Sequence, residues 1–120
     1  MNLQIRQCEI SDAEAIYELN LKEMGYDYPK EKTEEKIKKL LKSDKDKILV
    51  ALIGDIVVGY VHANDYDVIY APHMKNIMGI AVFSHFKKKG IGRALLSAIS
   101  RNCFSDIHTG LQPREPQAVK

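Results

Sequence analysis

The alternation of apolar and polar side chains changes period several times along the chain, and each change marks an element. Residues 3–8 alternate, with Leu3, Ile5 and Gln7 on one side and Gln4, Arg6 and Cys8 on the other, which predicts a first strand with one apolar face. Ser11 followed by Glu14 reads as a capping box. The helix it opens carries Ala13, Ile16, Tyr17, Leu19, Asn20 and Met24 and should stop near Gly25. A second helix is predicted over 33–42, with Thr33 as N-cap, two glutamates in the first turn, and Ile37, Leu40 and Leu41 facing inward. Two β-rich runs, 47–53 and 56–62, flank Gly54-Asp55, a hairpin signal, and the second is expected to continue past Asn64, with a break, to Tyr70. Gly59 inside that run predicts a bulge or a close backbone approach. A turn at 71–73 then leads to a buried strand over 77–82, a basic turn over 87–92 and a helix from Ile91. In that helix Ile91, Ala94, Leu95, Ala98 and Ile99 recur at helical spacing, a stripe that can lie on a sheet. Residues 104–111 read as another strand, with Ile107 and either Thr109 or Leu111 carrying its buried side.

The chemistry concentrates where strand, glycine turn and helix meet. The first turn of a helix has unpaired N–H groups, its dipole favours negative charge, and glycine lets a ligand approach the backbone. Lys87, Lys88, Lys89 and Arg93 add positive charge there, so a phosphate-bearing ligand is expected. The bland alternative is a glycine turn with solvated lysines. The Walker pattern has no match in the chain, and the dinucleotide fingerprint fails because Leu95 stands where its third glycine belongs.

What remains, Lys87-x-x-Gly90-x-Gly92 directly after an apolar strand, resembles the acetyl-CoA signature of the GNAT N-acetyltransferase family, Gln/Arg-x-x-Gly-x-Gly/Ala. Lys87 keeps the charge of the preferred arginine but lacks its planar fork. The resemblance implies an α/β fold of the GNAT type: a mixed, largely antiparallel sheet with helices on both faces, in one domain over 1–120. It implies acetyl-CoA as cofactor. The main chain of Lys88, Lys89, Gly90, Ile91, Gly92 and Arg93 would hold its pyrophosphate, and the edge of Ile80, Ala81 and Val82 would bond its pantetheine arm as an added strand. It also implies direct acetyl transfer to a primary amine of a small molecule or a protein, with a backbone N–H near Ile80 steadying the oxyanion.

In the same family the end of the first helix and the segment after it line the acceptor site. That makes Tyr26 and Tyr28 substrate-side candidates, beside the alternative of a polar loop with aromatic anchors; Tyr66 and Tyr70 are candidates for the same pocket. No acidic residue lies within 77–82, where some members keep a glutamate, so the titratable candidates are His62, Asp65, His73 and His108, with His62, Tyr70 and His108 the weak catalytic choices. Glu115-Pro116-Gln117-Ala118-Val119 matches the entry to the family's last helix, which leaves that helix, the final strand and a tyrosine acid beyond Lys120 unaccounted for. A truncated module that binds CoA without efficient turnover, and a domain that self-associates through an exposed sheet edge, are the alternative readings.

Composition changes this picture little. A formal charge of +2 over 120 residues gives no reason to invoke a polyanion, and the lysines over 36–42 follow Glu34 and Glu35 on a helix, as a solvated face would. No nucleic-acid or membrane partner and no metal ligand set is therefore expected. Cys8 and Cys103 fit reduced thiols of a cytoplasmic protein.

Overall fold

Four strands lie side by side in chain order, β1 (Leu3–Gln7), β2 (Asp46–Ile53), β3 (Ile56–Tyr66) and β4 (Met74–Val82), each antiparallel to its neighbour. The coordinates are those of a computed structural model that describes residues 2–66, 69–70, 72 and 74–104. Helices α1 (Ala13–Met24) and α2 (Lys30–Leu41) cover one face of the sheet and α3 (Ile91–Phe104) covers the other. This is the α/β arrangement with helices on both faces that the sequence implies.

Two cores follow from the alternation. On the α3 side Leu49, Ala51, Val61 and Ala63 meet Ile91, Leu95, Ala98 and Ile99. On the other side Ile48, Val50, Leu52, Tyr60 and Ala81 meet Ala13, Ile16, Leu19 and Ile37. β2 is therefore buried on both faces and reads as a continuous apolar run. Fully buried Leu19 and Leu95 contribute roughly 2 kcal/mol each to holding the layers together.

Several local expectations are corrected. Ser11 does not cap α1; it lies in a short 3-10 turn (Ile10–Asp12), and Asp12 stands at the N-cap position with no side-chain bond to the helix. Its carboxylate accepts the Glu9 N–H at 2.8 Å and both arms of the Arg6 guanidinium at 2.8 and 3.0 Å. The charge-assisted fork ties the carboxylate to β1 and not to the N–H groups of α1. α2 starts at Lys30, a turn before the expected N-cap, because Pro29 ends the preceding loop; buried Thr33 lies inside the first turn and donates to the Pro29 carbonyl at 3.1 Å. β3 runs unbroken to Tyr66, and its irregularities are bulges instead: Val58 is the extra residue opposite β2, and Met78 of β4 the extra residue opposite β3. Phe104 ends α3 and does not begin a strand; the remainder of that predicted strand lies outside the described residues.

Gly59 satisfies both readings at once. It borders the Val58 bulge, and a Cβ there would stand 2.9 Å from the Ala81 carbonyl oxygen and 3.1 Å from Val82 Cγ2. The close approach lets β3 hold β4 tightly where the candidate site begins.

Candidate functional site

Val82 is the last residue of β4, and the chain then makes a short 3-10 turn (Ser84–Phe86) before the basic turn and α3. Lys88 and Gly90 both adopt left-handed backbone, φ 66° and 82°, which folds the turn back on itself so that α3 starts beside the end of β4. The first helical bond runs from Ala94 N–H to the Gly90 carbonyl at 2.9 Å, so the N–H groups of Ile91, Gly92 and Arg93 emerge from the helix end. A Cβ at Gly92 would meet nothing within 4 Å. The backbone there is open to a ligand.

These pieces border one cleft of about 750 Å³. Of the residues the resemblance assigns to the cofactor, Ile80, Ala81, Val82, Lys87, Lys88, Gly90, Ile91, Gly92 and Arg93 line it; Lys89 is exposed on the turn and does not. Among the described residues β4 pairs only with β3, so the outer edge of Ile80, Ala81 and Val82 faces this cleft unpaired. Fixed N–H groups, three cations and a free strand edge in one cleft suit an extended ligand with an anionic end.

Sequence reasoning missed the cleft's acidic residue, Glu23. From the last turn of α1 its carboxylate accepts the Ser84 N–H at 3.0 Å and the Ser84 hydroxyl at 2.7 Å, and it lies 3.5 Å from Lys87 Nζ. The two Ser84 bonds, helped by Lys87, hold the carboxyl below its usual range despite partial desolvation. No local pattern signals this contact, which spans 61 residues.

On the α1–α2 side are two further clefts. A wide one of about 620 Å³ is lined by Asn20, Gly25, Tyr26, Asp27, Tyr28 and Lys36. A narrow one of about 140 Å³ shares Asn20, Tyr28 and Lys36 with it and reaches Tyr60 and His62. Tyr60 Oη donates to Asn20 Oδ1 at 2.6 Å, and burial pushes the hydroxyl's pKa upward, so it is neutral at physiological pH. His62 Nε2 lies 2.7 Å from Asp46 Oδ1, which also accepts Asn64 Nδ2 at 2.9 Å. Burial alone would raise the Asp46 carboxyl, but the bonds from Asn64, His62 and Ser43 outweigh it and keep it ionised.

The structure thus brings together Tyr26, Tyr28 and His62 and leaves other candidates apart. Tyr70 is 79% exposed in the segment before β4 and lines none of these clefts. Asp65 forms an ion pair with buried Lys75 on the neighbouring strand. The Tyr66 side chain, His73 and His108 lie outside the described residues. Among those residues, no group of three or more His, Cys, Asp or Glu could hold a metal ion, and no helix is long and apolar enough to cross a membrane. Cys8 is a free, buried thiol whose pKa burial pushes up to about 12.

Comparison with known proteins agrees with this geometry. Residues 13–118 match the family model described as the acetyltransferase (GNAT) family. A search of curated proteins finds no match. Among solved structures, a GNAT family acetyltransferase from Staphylococcus aureus superposes with a TM-score of 0.77 at 18% identity, over 100% of this chain and 89% of that one. The aminoglycoside acetyltransferase AAC(6')-Iy, solved with a CoA bisubstrate analogue, gives 0.77 at 18% identity over 91% and 77%. Glucosamine-6-phosphate N-acetyltransferase from Arabidopsis thaliana gives 0.74 at 15% identity over 91% and 80%. At these identities the likeness is one of fold.

Proposed function

The chain belongs to the acetyltransferase (GNAT) family, and from that premise we propose that it transfers an acetyl group from acetyl-CoA to a primary amine of a small molecule or a protein. The observation that carries the reading is the single cleft on which the free edge of Ile80, Ala81 and Val82 and the N-terminus of α3 both open. Acetyl-CoA, when bound, supplies a thioester whose carbonyl carbon is open to attack by a neutral amine.

The residues divide the work. N–H groups of Ile91, Gly92 and Arg93, with Lys87 and Lys88, would hold the pyrophosphate. The β4 edge would hold the pantetheine arm by main-chain bonds, and the N–H near Ile80 would serve as donor to the thioester oxygen. On the acceptor side, Asp46 fixes the His62 ring with its proton on Nε2 and leaves Nδ1 to take a proton from an incoming ammonium. Tyr26 and Tyr28 supply the walls along which the acceptor enters.

The test is calorimetric titration of the full chain with CoA and acetyl-CoA, followed by thiol release with a panel of amines. The reading expects binding and amine-dependent release. Absence of binding by the folded chain overturns it; binding without release by any amine reduces it to the CoA-binding module.

A further inference from the structure

The narrow cleft has features that neither the family match nor the phosphate turn accounts for. Its volume of about 140 Å³ lies far below the roughly 300 Å³ at which sites for drug-sized ligands begin. An engineered cavity of about 150 Å³ in another protein takes a ligand of about six carbons. A multi-ring amino sugar does not fit such a space, and a single sugar ring would bury its hydroxyls against the apolar walls, whereas a short methylene chain fits. The walls suit such a chain: Ile16, Ile37, Leu40 and Ile48 are apolar.

Polar groups in the lining give the chain's terminus a partner. The Tyr60 hydroxyl gives its proton to Asn20, so its oxygen lone pairs are left to accept from an N–H donor. That oxygen is also next to β4: a Cβ built at Gly79 would stand 3.4 Å from Tyr60 Oη, and Gly79 immediately precedes Ile80, where the free edge begins. Gly79 thus places the hydroxyl against β4 one residue before the cofactor edge begins. His62, bonded to Asp46, lines the same space. The wide cleft adjoins this space through the shared Asn20, Tyr28 and Lys36. Its rim holds one group of each sign, Asp27 and Lys36, so width discriminates there more than charge does.

We infer that the narrow cleft seats the terminal amine of an unbranched aminoalkyl chain, with Tyr60 Oη accepting a hydrogen bond from the amine beside Gly79. For its chemistry this deepens the acetyl-transfer reading and rests on it; the seat itself is observable without the cofactor. Free diamines and lysine side chains share this chemistry.

The experiment titrates the isotope-labelled full chain with 1,5-diaminopentane, with a lysine-containing tripeptide blocked at both ends, and with glucosamine as a ring amine, following backbone amide signals. The expected result is saturable shifts at Asn20, Tyr60 and His62 with one or both linear amines and not with glucosamine. Shifts with the diamine alone identify free diamines as the source; shifts with the peptide identify lysine side chains. Tyr60→Phe, which removes one oxygen and keeps the ring, should weaken that binding about tenfold, the loss expected for a hydrogen bond to a charged group. CoA affinity should stay at the parental value, and the melting temperature should fall by the few degrees that loss of the Tyr60–Asn20 bond entails; a merely structural role for Tyr60 would give that fall with no change in amine affinity. In turnover the variant should raise KM for the amine far more than it lowers kcat. Shifts elsewhere, equal shifts with glucosamine, or an unchanged Tyr60→Phe affinity overturn the seat. Failure of CoA to bind while the linear amine still shifts these residues overturns the cofactor reading and leaves the seat standing.

Discussion

Gly92→Glu separates ligand binding from folding at the helix end, because the same carboxylate acts in opposite directions on the two. Gly92 is the second residue of α3, its backbone is outside the left-handed region, and its Cβ would enter open space, so the substitution meets no steric obstacle. Replacing glycine in a helix gains about 0.5 kcal/mol. A negative charge in the first turn gains about 0.3–1 kcal/mol from the dipole. The variant should therefore be about 1 kcal/mol more stable and melt a few degrees higher. For a ligand carrying two negative charges about 6 Å away, at an effective dielectric of about 40 in this open cleft, repulsion comes to about 3 kcal/mol. That corresponds to a roughly 100-fold loss of CoA affinity. Gly92→Ala is the control and should gain stability while keeping CoA affinity within about threefold, since it adds no charge. Calorimetric titration and thermal denaturation of the three proteins give both quantities. A Gly92→Glu protein that melts higher yet binds CoA as the parent does would refute the placement of phosphate at α3.

Substitutions at three other residues test other parts of the structure. Glu23→Gln keeps an oxygen for the Ser84 N–H while Glu23→Ala removes it; titration should show CoA affinity near parental for the first and about tenfold lower for the second, and equal affinities would mean that the Ser84 contact does not order the turn. Gly59→Ala drives a methyl group against the Ala81 carbonyl, costs about 2 kcal/mol by denaturant titration and weakens CoA binding by displacing the β4 edge; an unchanged midpoint would show that the strands part freely. Arg6 and the Glu9 N–H hold the Asp12 carboxyl below its ordinary 3.8, against burial, which would raise it. With the folded pKa depressed, the stabilisation is complete above the unfolded value and is lost as pH falls through the folded one. Asp12→Asn should thus lose about 2 kcal/mol at pH 7, and its deficit should shrink below about pH 4; a deficit constant down to pH 2 would contradict the linkage.

Elements whose signal is local were legible in the sequence. The stripe from Ile91 to Ile99, the Gly54-Asp55 hairpin, and the strand and turn before α3 each depend on side chains within a few residues, and all are present. Helix starts were misplaced wherever a partner from outside the helix decided them. Arg6 of β1 and the Glu9 N–H hold Asp12 at the end of a 3-10 turn that takes in Ser11, and Pro29 moves the start of α2 to Lys30. The same division holds in the clefts. The basic turn could be read because glycine and lysine spacing is itself the chemistry. Tyr60 with Asn20, and Glu23 with Ser84, are 40 and 61 residues apart, and only the packing of α1 across β3 and β4 brings them together. Tyr70 looked eligible by residue type, but nothing in the sequence shows that its ring is turned to solvent.

α1 is fastened at both ends, by Asp12 to Arg6 on β1 and by Glu23 to Ser84 after β4. Between α1 and α2 the residues from Gly25 to Pro29 are all exposed, and the tie from Tyr26 N–H to Asn20 O leads back into the helix and not into the sheet. Fixed posts with a slack span between them make the middle of that span replaceable: Tyr26, Asp27 and Tyr28 can be exchanged without disturbing the strand edge or the basic turn, while Gly25, in left-handed backbone, and Pro29, at the start of α2, stay. On the proposed function, exchanging these three residues would vary the acceptor entrance while the strand edge and the helix end are inherited unchanged.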